Sequence, residues 1–160
     1  MLTYGAGRAM AHDHLTDRAD LLGRVSAAYS VTFRITGGVP ERLAAEIGTF
    51  AQLQPNWDSH GAPSVNERTR ARAMKLIQEI YRAAAVFGVK IPDPDAFPSS
   101  DGMVGILWRN PETRSSLEVL IGERGLEASA SSRGAVVDLA VEPSGALDAL
   151  ALVHKFILAS

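Results

Sequence analysis

Asn56, Trp57, Asp58, His60 and Gly61 stand together in one short string, Asn56-Trp57-Asp58-Ser59-His60-Gly61-Ala62. A carboxylate and an imidazole two residues apart could serve as an acid and base pair, or as two ligands of a hydrolytic metal ion. On that reading Asp58 and His60 would make the chain a small metal-dependent hydrolase. The same residue types also build turns. Asx side chains accept hydrogen bonds from backbone amides two residues on, and glycine enters left-handed conformations without a Cβ clash. A string of turn residues between two helical stretches favours the structural role, with Trp57 expected to be buried between helix and sheet.

Arg68, Arg70, Arg72 and Lys75 crowd the first half of the next helical stretch, where cations oppose the helix macrodipole. They could contact phosphate, which would make the basic face of a helix over 64–87 a nucleic-acid surface. No aromatic residue interleaves with them, and helix surfaces need charge for solubility, so a solvated face is the expectation. His12-Asp13-His14 would bring both imidazoles to one side only on a strand, and would still need a third ligand and a supporting shell. Pro92-Asp93-Pro94-Asp95 and Asp101 gather carboxylates without the spacing of a calcium loop. Gly5-Ala6-Gly7-Arg8 does not complete a phosphate loop. No sequence of the G-x-S-x-G, H-E-x-x-H, Walker or kinase type is present, so no catalytic residue, cofactor or metal is assigned.

The elements that must position these residues show in the side-chain rhythm. Residues 1–11, rich in Gly and Ala without a period, read as a flexible arm, and 12–160 as a single domain. Leu21, Leu22, Val25 and Ala28 keep helical spacing over 16–28. Val31, Phe33 and Ile35 alternate over 30–36, which fits a short strand or a continuation of that helix. Pro40 opens a second helix, whose stripe runs through Leu43, Ile47 and Phe50 to about Leu53. Ser64-Val65-Asn66-Glu67 has the form of a capping box and predicts the start of a long helix that Gly88 ends.

Pro92, Pro94 and Pro98 exclude helix from the next stretch, which reads as a linker closed by the turn Ser99-Ser100-Asp101-Gly102. The period then changes to two. Strands are predicted with Val104, Ile106 and Trp108 on one side, then Leu117, Val119 and Ile121, then Leu126, Ala128 and Ala130, then Val137, Leu139 and Val141. The third of these, made of small residues, would present a poorly protected edge. A final helix carries Leu147, Leu150, Val153 and Ile157. The predicted class is α+β, with helices packed on a small antiparallel β-meander of about four strands and a C-terminal helix.

The loop string, the proline-rich stretch after the long helix and the Asp101-Gly102 turn into a strand ending in tryptophan resemble small bacterial and phage proteins. Those proteins carry an N-W-D-G-x-G-A loop between two helices, ahead of a β-meander. The likeness covers roughly residues 40–131 and implies an architecture without a catalytic assignment. This chain departs from the pattern at Ser59, where glycine is more common; glycine reaches positive φ freely and serine does not.

With 46% hydrophobic and 21% charged residues in 160, the composition is that of a globular chain, neither disordered nor membrane-embedded. A formal net charge of −2 removes the global electrostatic argument for nucleic acid. Cysteine is absent, which excludes disulfides and thiolate chemistry. With no secretory pattern at the start and no run of about 20 apolar residues, the expected location is the cytoplasm. Together these features predict a non-enzymatic interaction or regulatory accessory protein with a protein partner, acting through a sheet face or edge; a homodimer is compatible with them.

Overall fold

Alternation along the carboxyl half sorts side chains to two faces of a sheet, and the helical stripes of the other elements cover one of them. The protein is seen in a computed structural model that describes residues 38–137, 139 and 143–158. All of these belong to one compact unit, Ile35–Ser160. The expected arm over 1–11, the helix over 16–28, the strand or helix over 30–36 and the His12/His14 pair lie outside the described residues.

Among the described residues there are three α-helices and five strands. Helix α1 spans Val39–Thr49 and runs into a 3₁₀ turn, Phe50–Gln52; α2 spans Glu67–Val86. The strands are β1 Asp95–Pro98, β2 Val104–Asn110, β3 Ser115–Ile121, β4 Leu126–Ser132 and β5 Ala135–Val137. Helix α3, Ala146–Val153, ends in a π-helical turn, His154–Leu158. The sheet order is β1-β2-β3-β4-β5, with every neighbouring pair antiparallel. The architecture is therefore α+β with an antiparallel meander, as the rhythm predicts, but with five strands.

The additional strand is β1, in the stretch read from its prolines as a linker. Proline is tolerated at the sheet edge, where its missing N–H interrupts no ladder on the outer side. Pro94 precedes β1 and Pro98 ends it, opposite Val104. Two other expectations are corrected. The long helix is capped by Asn66 and not by Ser64: Asn66 Oδ1 accepts the Thr69 amide at 2.8 Å, while its Nδ2 donates to Glu123 Oε1 at 2.7 Å. Asparagine is at least as good a cap as serine, and here it also ties the helix start to the β3–β4 turn. The β4 edge is not open along its length, since β5 pairs with it from Ala130 to Ser132.

Register fixes the core. Val104, Ile106 and Trp108 lie opposite Ile121, Val119 and Leu117, and all six are fully buried. Leu43 and Ile47 of α1, Ile77 and Ile80 of α2, and Val153 and Ile157 at the carboxyl end close over them. Each such side chain contributes roughly 1.5–3 kcal/mol by leaving water. Helix α1 packs on β1, α2 on β2 and β3, and α3 with its π-helical turn on β2 and β3. Among the described residues no helix is long and apolar enough to cross a membrane.

Candidate functional site

The loop between α1 and α2 is shaped by its own hydrogen bonds. The Asn56 amide donates to the Ala62 carbonyl at 2.7 Å, closing a ring of seven residues. Inside it the Ser59 amide donates to the Asn56 carbonyl at 3.0 Å and the Gly61 amide to Asn56 Oδ1 at 2.8 Å. Asp58 Oδ1 accepts two amides, from His60 at 2.8 Å and from Ala62 at 3.0 Å. Three residues take left-handed φ to make this path: Asn56 at 67°, Ser59 at 63° and Gly61 at 93°. Serine thus occupies a conformation that glycine would adopt at lower cost.

The electrostatics follow from the same bonds. Amides of Ala62 and then His60 aimed at the carboxylate hold the Asp58 carboxyl below its ordinary range, because they stabilise its charged form. The imidazole does not meet that carboxylate. His60 Nδ1 lies 2.7 Å from the Asp58 main-chain oxygen, and since a carbonyl can only accept, the proton is on Nδ1. The acid and base pair that the spacing allows is therefore not assembled: one carboxylate oxygen serves two backbone donors, and one ring nitrogen serves a carbonyl.

Trp57, expected in the core, is only half-buried, and its Nε1 donates to the Pro63 carbonyl at 3.1 Å. The tryptophan that fills the core is Trp108, fully buried on β2. What anchors the loop's exit is smaller: Ala62 and Val65 are both 3% exposed.

The four cations of α2 do not act as one group. Arg72 Nη1 donates to the carbonyls of Gly122 at 3.2 Å and Glu123 at 2.9 Å, fastening the helix to the β3–β4 turn. Lys75 pairs with Glu79 at 3.8 Å, one helical turn on. Arg70 is half-buried and its Nε is enclosed without a hydrogen-bond partner, while Arg68 is exposed. Of the linker carboxylates, Asp95 pairs with Arg109 on the neighbouring strand. Asp93 lies near Tyr81, whose hydroxyl pKa is raised first by burial and then by that charge. Among the described residues no three His, Cys, Asp or Glu side chains converge as metal ligands.

A second surface emerges from the register and has no local signature in the sequence. The outer face of the sheet carries Phe97, Gly105, Leu120 and Glu127 in one rung, Asp95, Leu107, Glu118 and Ser129 in the next, and Arg109, Ser116 and Ser131 in a third, beside Val136. The far end of the Phe97 ring stands over Gly105, so that a Cβ there would be 2.2 Å from it. Ser116 and Ser131 share a hydrogen bond of 2.8 Å, and Val136 is 85% exposed. Alternation could have predicted these as outward positions, but not that Phe97 joins them, because the strand that carries it was hidden by its prolines. No protein-family model, curated protein or solved structure gives a significant match to this chain.

Proposed function

We propose that the chain is a non-enzymatic interaction module that binds a protein partner through the outer face of its sheet. This fits an accessory or regulatory role. The observation that carries the proposal is the composition of that face. Phe97, Leu107 and Leu120 form an apolar centre on adjacent strands, and Asp95, Arg109, Glu118, Glu127 and the Ser116–Ser131 pair surround it. An apolar centre with a polar rim is the usual anatomy of a protein interface. The prolines of β1 blunt the strand edge against uncontrolled pairing, which favours a face over an edge as the contact. The hydrolase reading has less support, because the Asp58 carboxylate is engaged by the turn it builds.

The test is the double substitution Leu107→Arg with Leu120→Arg, at two positions that are only partly buried. It should abolish co-purification of a partner while the melting temperature moves by less than about 5 °C. A wild-type chain that is monomeric by light scattering and retains no partner in pull-down overturns the proposal.

A further inference from the structure

Where three turns meet at one end of the sheet, they border an open cavity of about 670 Å³. The β2–β3 turn brings Arg114, the β4–β5 turn brings Arg133, and the π-helical turn after α3 brings Lys155. These three cations face a single carboxylate, Glu112, in a chain whose overall charge is −2. The ion pairs among the described residues join Arg42 to Glu46, Lys75 to Glu79 and Arg109 to Asp95, so none of the three cavity cations is neutralised by one. Three cations outnumber that one carboxylate, and an anion between them offsets their mutual repulsion.

The cavity is also built to donate hydrogen bonds. Thr113, Ser115 and Ser132 line it, and Ser115 is 3% exposed. Thr113 Oγ1 is enclosed and has no hydrogen-bond partner among the described residues. A buried hydroxyl without a partner is uncommon, and this one lies in the same turn as Arg114. The Lys155 ammonium sits 5.1 Å from the centre of the Phe156 ring, which keeps its head beside the cavity.

The backbone supplies a separate line of support. Arg114 and Arg133 both take left-handed φ, 55° and 53°, and the Arg133 amide donates to the Arg114 carbonyl at 3.0 Å. Glycine would relieve the Cβ clash at either place, yet both carry the side chain with the strongest preference for phosphate and carboxylate oxygens. Backbone strain retained under two cations that line one cavity points to a use for the cations themselves.

We propose that this cavity binds a small phosphomonoester, with the phosphate held by Arg114, Arg133 and Lys155 and by the hydroxyl of Ser115. A tetrahedral dianion presents acceptors in several directions, which suits cations arriving from three separate turns; a planar carboxylate would use only one guanidinium fork. The volume exceeds the needs of a bare phosphate and lies in the range of small-molecule sites, leaving room for the esterified group. The site is independent of the outer sheet face, so it stands or falls apart from the partner proposal.

The experiment uses the full chain, titrated by amide NMR with inorganic phosphate and then with adenosine monophosphate, the ionic strength being held constant with sodium chloride. Saturable shifts should appear at Thr113, Arg114, Ser115, Arg133 and Lys155, with a Kd of about 1 mM or tighter for the nucleotide. Arg114→Gly and Arg133→Gly should each weaken binding roughly tenfold or more. Because glycine suits both backbone positions, neither change should lower the melting temperature; if either does, Lys155→Gln carries the same test. Shifts that grow linearly without saturation, equal binding of succinate, or substituted chains that bind as the wild type would each overturn the assignment. A ten-residue oligonucleotide that binds far more tightly than the mononucleotide would also overturn it, in favour of a nucleic acid.

Discussion

Ser59 sits at φ 63°, in the left-handed region that costs a residue with a Cβ about 1–2 kcal/mol. Glycine would remove that cost but would enlarge the freedom of the unfolded chain by roughly 0.5–1 kcal/mol. The first effect is the larger, so Ser59→Gly should raise the melting temperature by about 1–2 °C for a chain of this size, measured by calorimetry. Asp58, the preceding residue in the same ring, makes the loop sensitive to acid. Its carboxyl is held low by the amides of Ala62 and His60, so the folded state takes up its proton less readily than the unfolded state does. The stabilisation it contributes is complete above the unfolded pKa of about 4 and is lost as pH falls through the lower folded value. Urea unfolding between pH 7 and 2 should show this loss on the acid limb, with the Ala62 amide resonance titrating alongside, and Asp58→Asn should remove that part of the pH dependence. The residue types of this loop were legible as turn chemistry. That His60 would turn to a main-chain oxygen and not to the Asp58 carboxylate was not legible, because it depends on three left-handed φ values that only the closed ring imposes.

Gly105 shows how a strand is specified by its neighbour. The Phe97 ring of β1 occupies the space a side chain would need, at 2.2 Å from an added Cβ. Gly105→Ala should therefore displace the ring and destabilise the protein by about 1–3 kcal/mol in chemical denaturation. Adding Phe97→Leu to that change should recover part of the loss, since a smaller side chain makes room. Alternation made β2, β3 and β4 legible because one face of each is buried and the other is not. The prolines hid β1, since they look the same in sequence whether they end a loop or finish an edge strand. The cap of α2 was displaced for a similar reason: Ser64 has the right spacing to Glu67, but Val65 must enter the core, and the helix starts only after it, at Glu67, with Asn66 as its cap.

At the scale of the whole molecule, the layer arrangement follows from helical stripes preceding period-two segments, and this much was open to inference from the chain. The phosphate cavity was not. Its cations come from positions 114, 133 and 155, each in a different turn, and no local spacing relates them. The outer face is of the same kind, since it exists only once five segments take a common register. Both surfaces are products of topology, whereas the Asn56–Ala62 loop is a product of local sequence, which is why attention to motifs alone leads to the loop first.

The order of strands in the sheet is also the order of their synthesis. Each hairpin can zip as soon as its second strand leaves the ribosome, without waiting for any distant segment, and such short-range pairing favours fast folding. The exception is α3 with its π-helical turn, which packs on β2 and β3 and is the last of the described elements to emerge. Until it docks, the nascent sheet displays part of its greasy inner side to the surrounding water, and that brief interval is when the growing chain most needs a chaperone's cover.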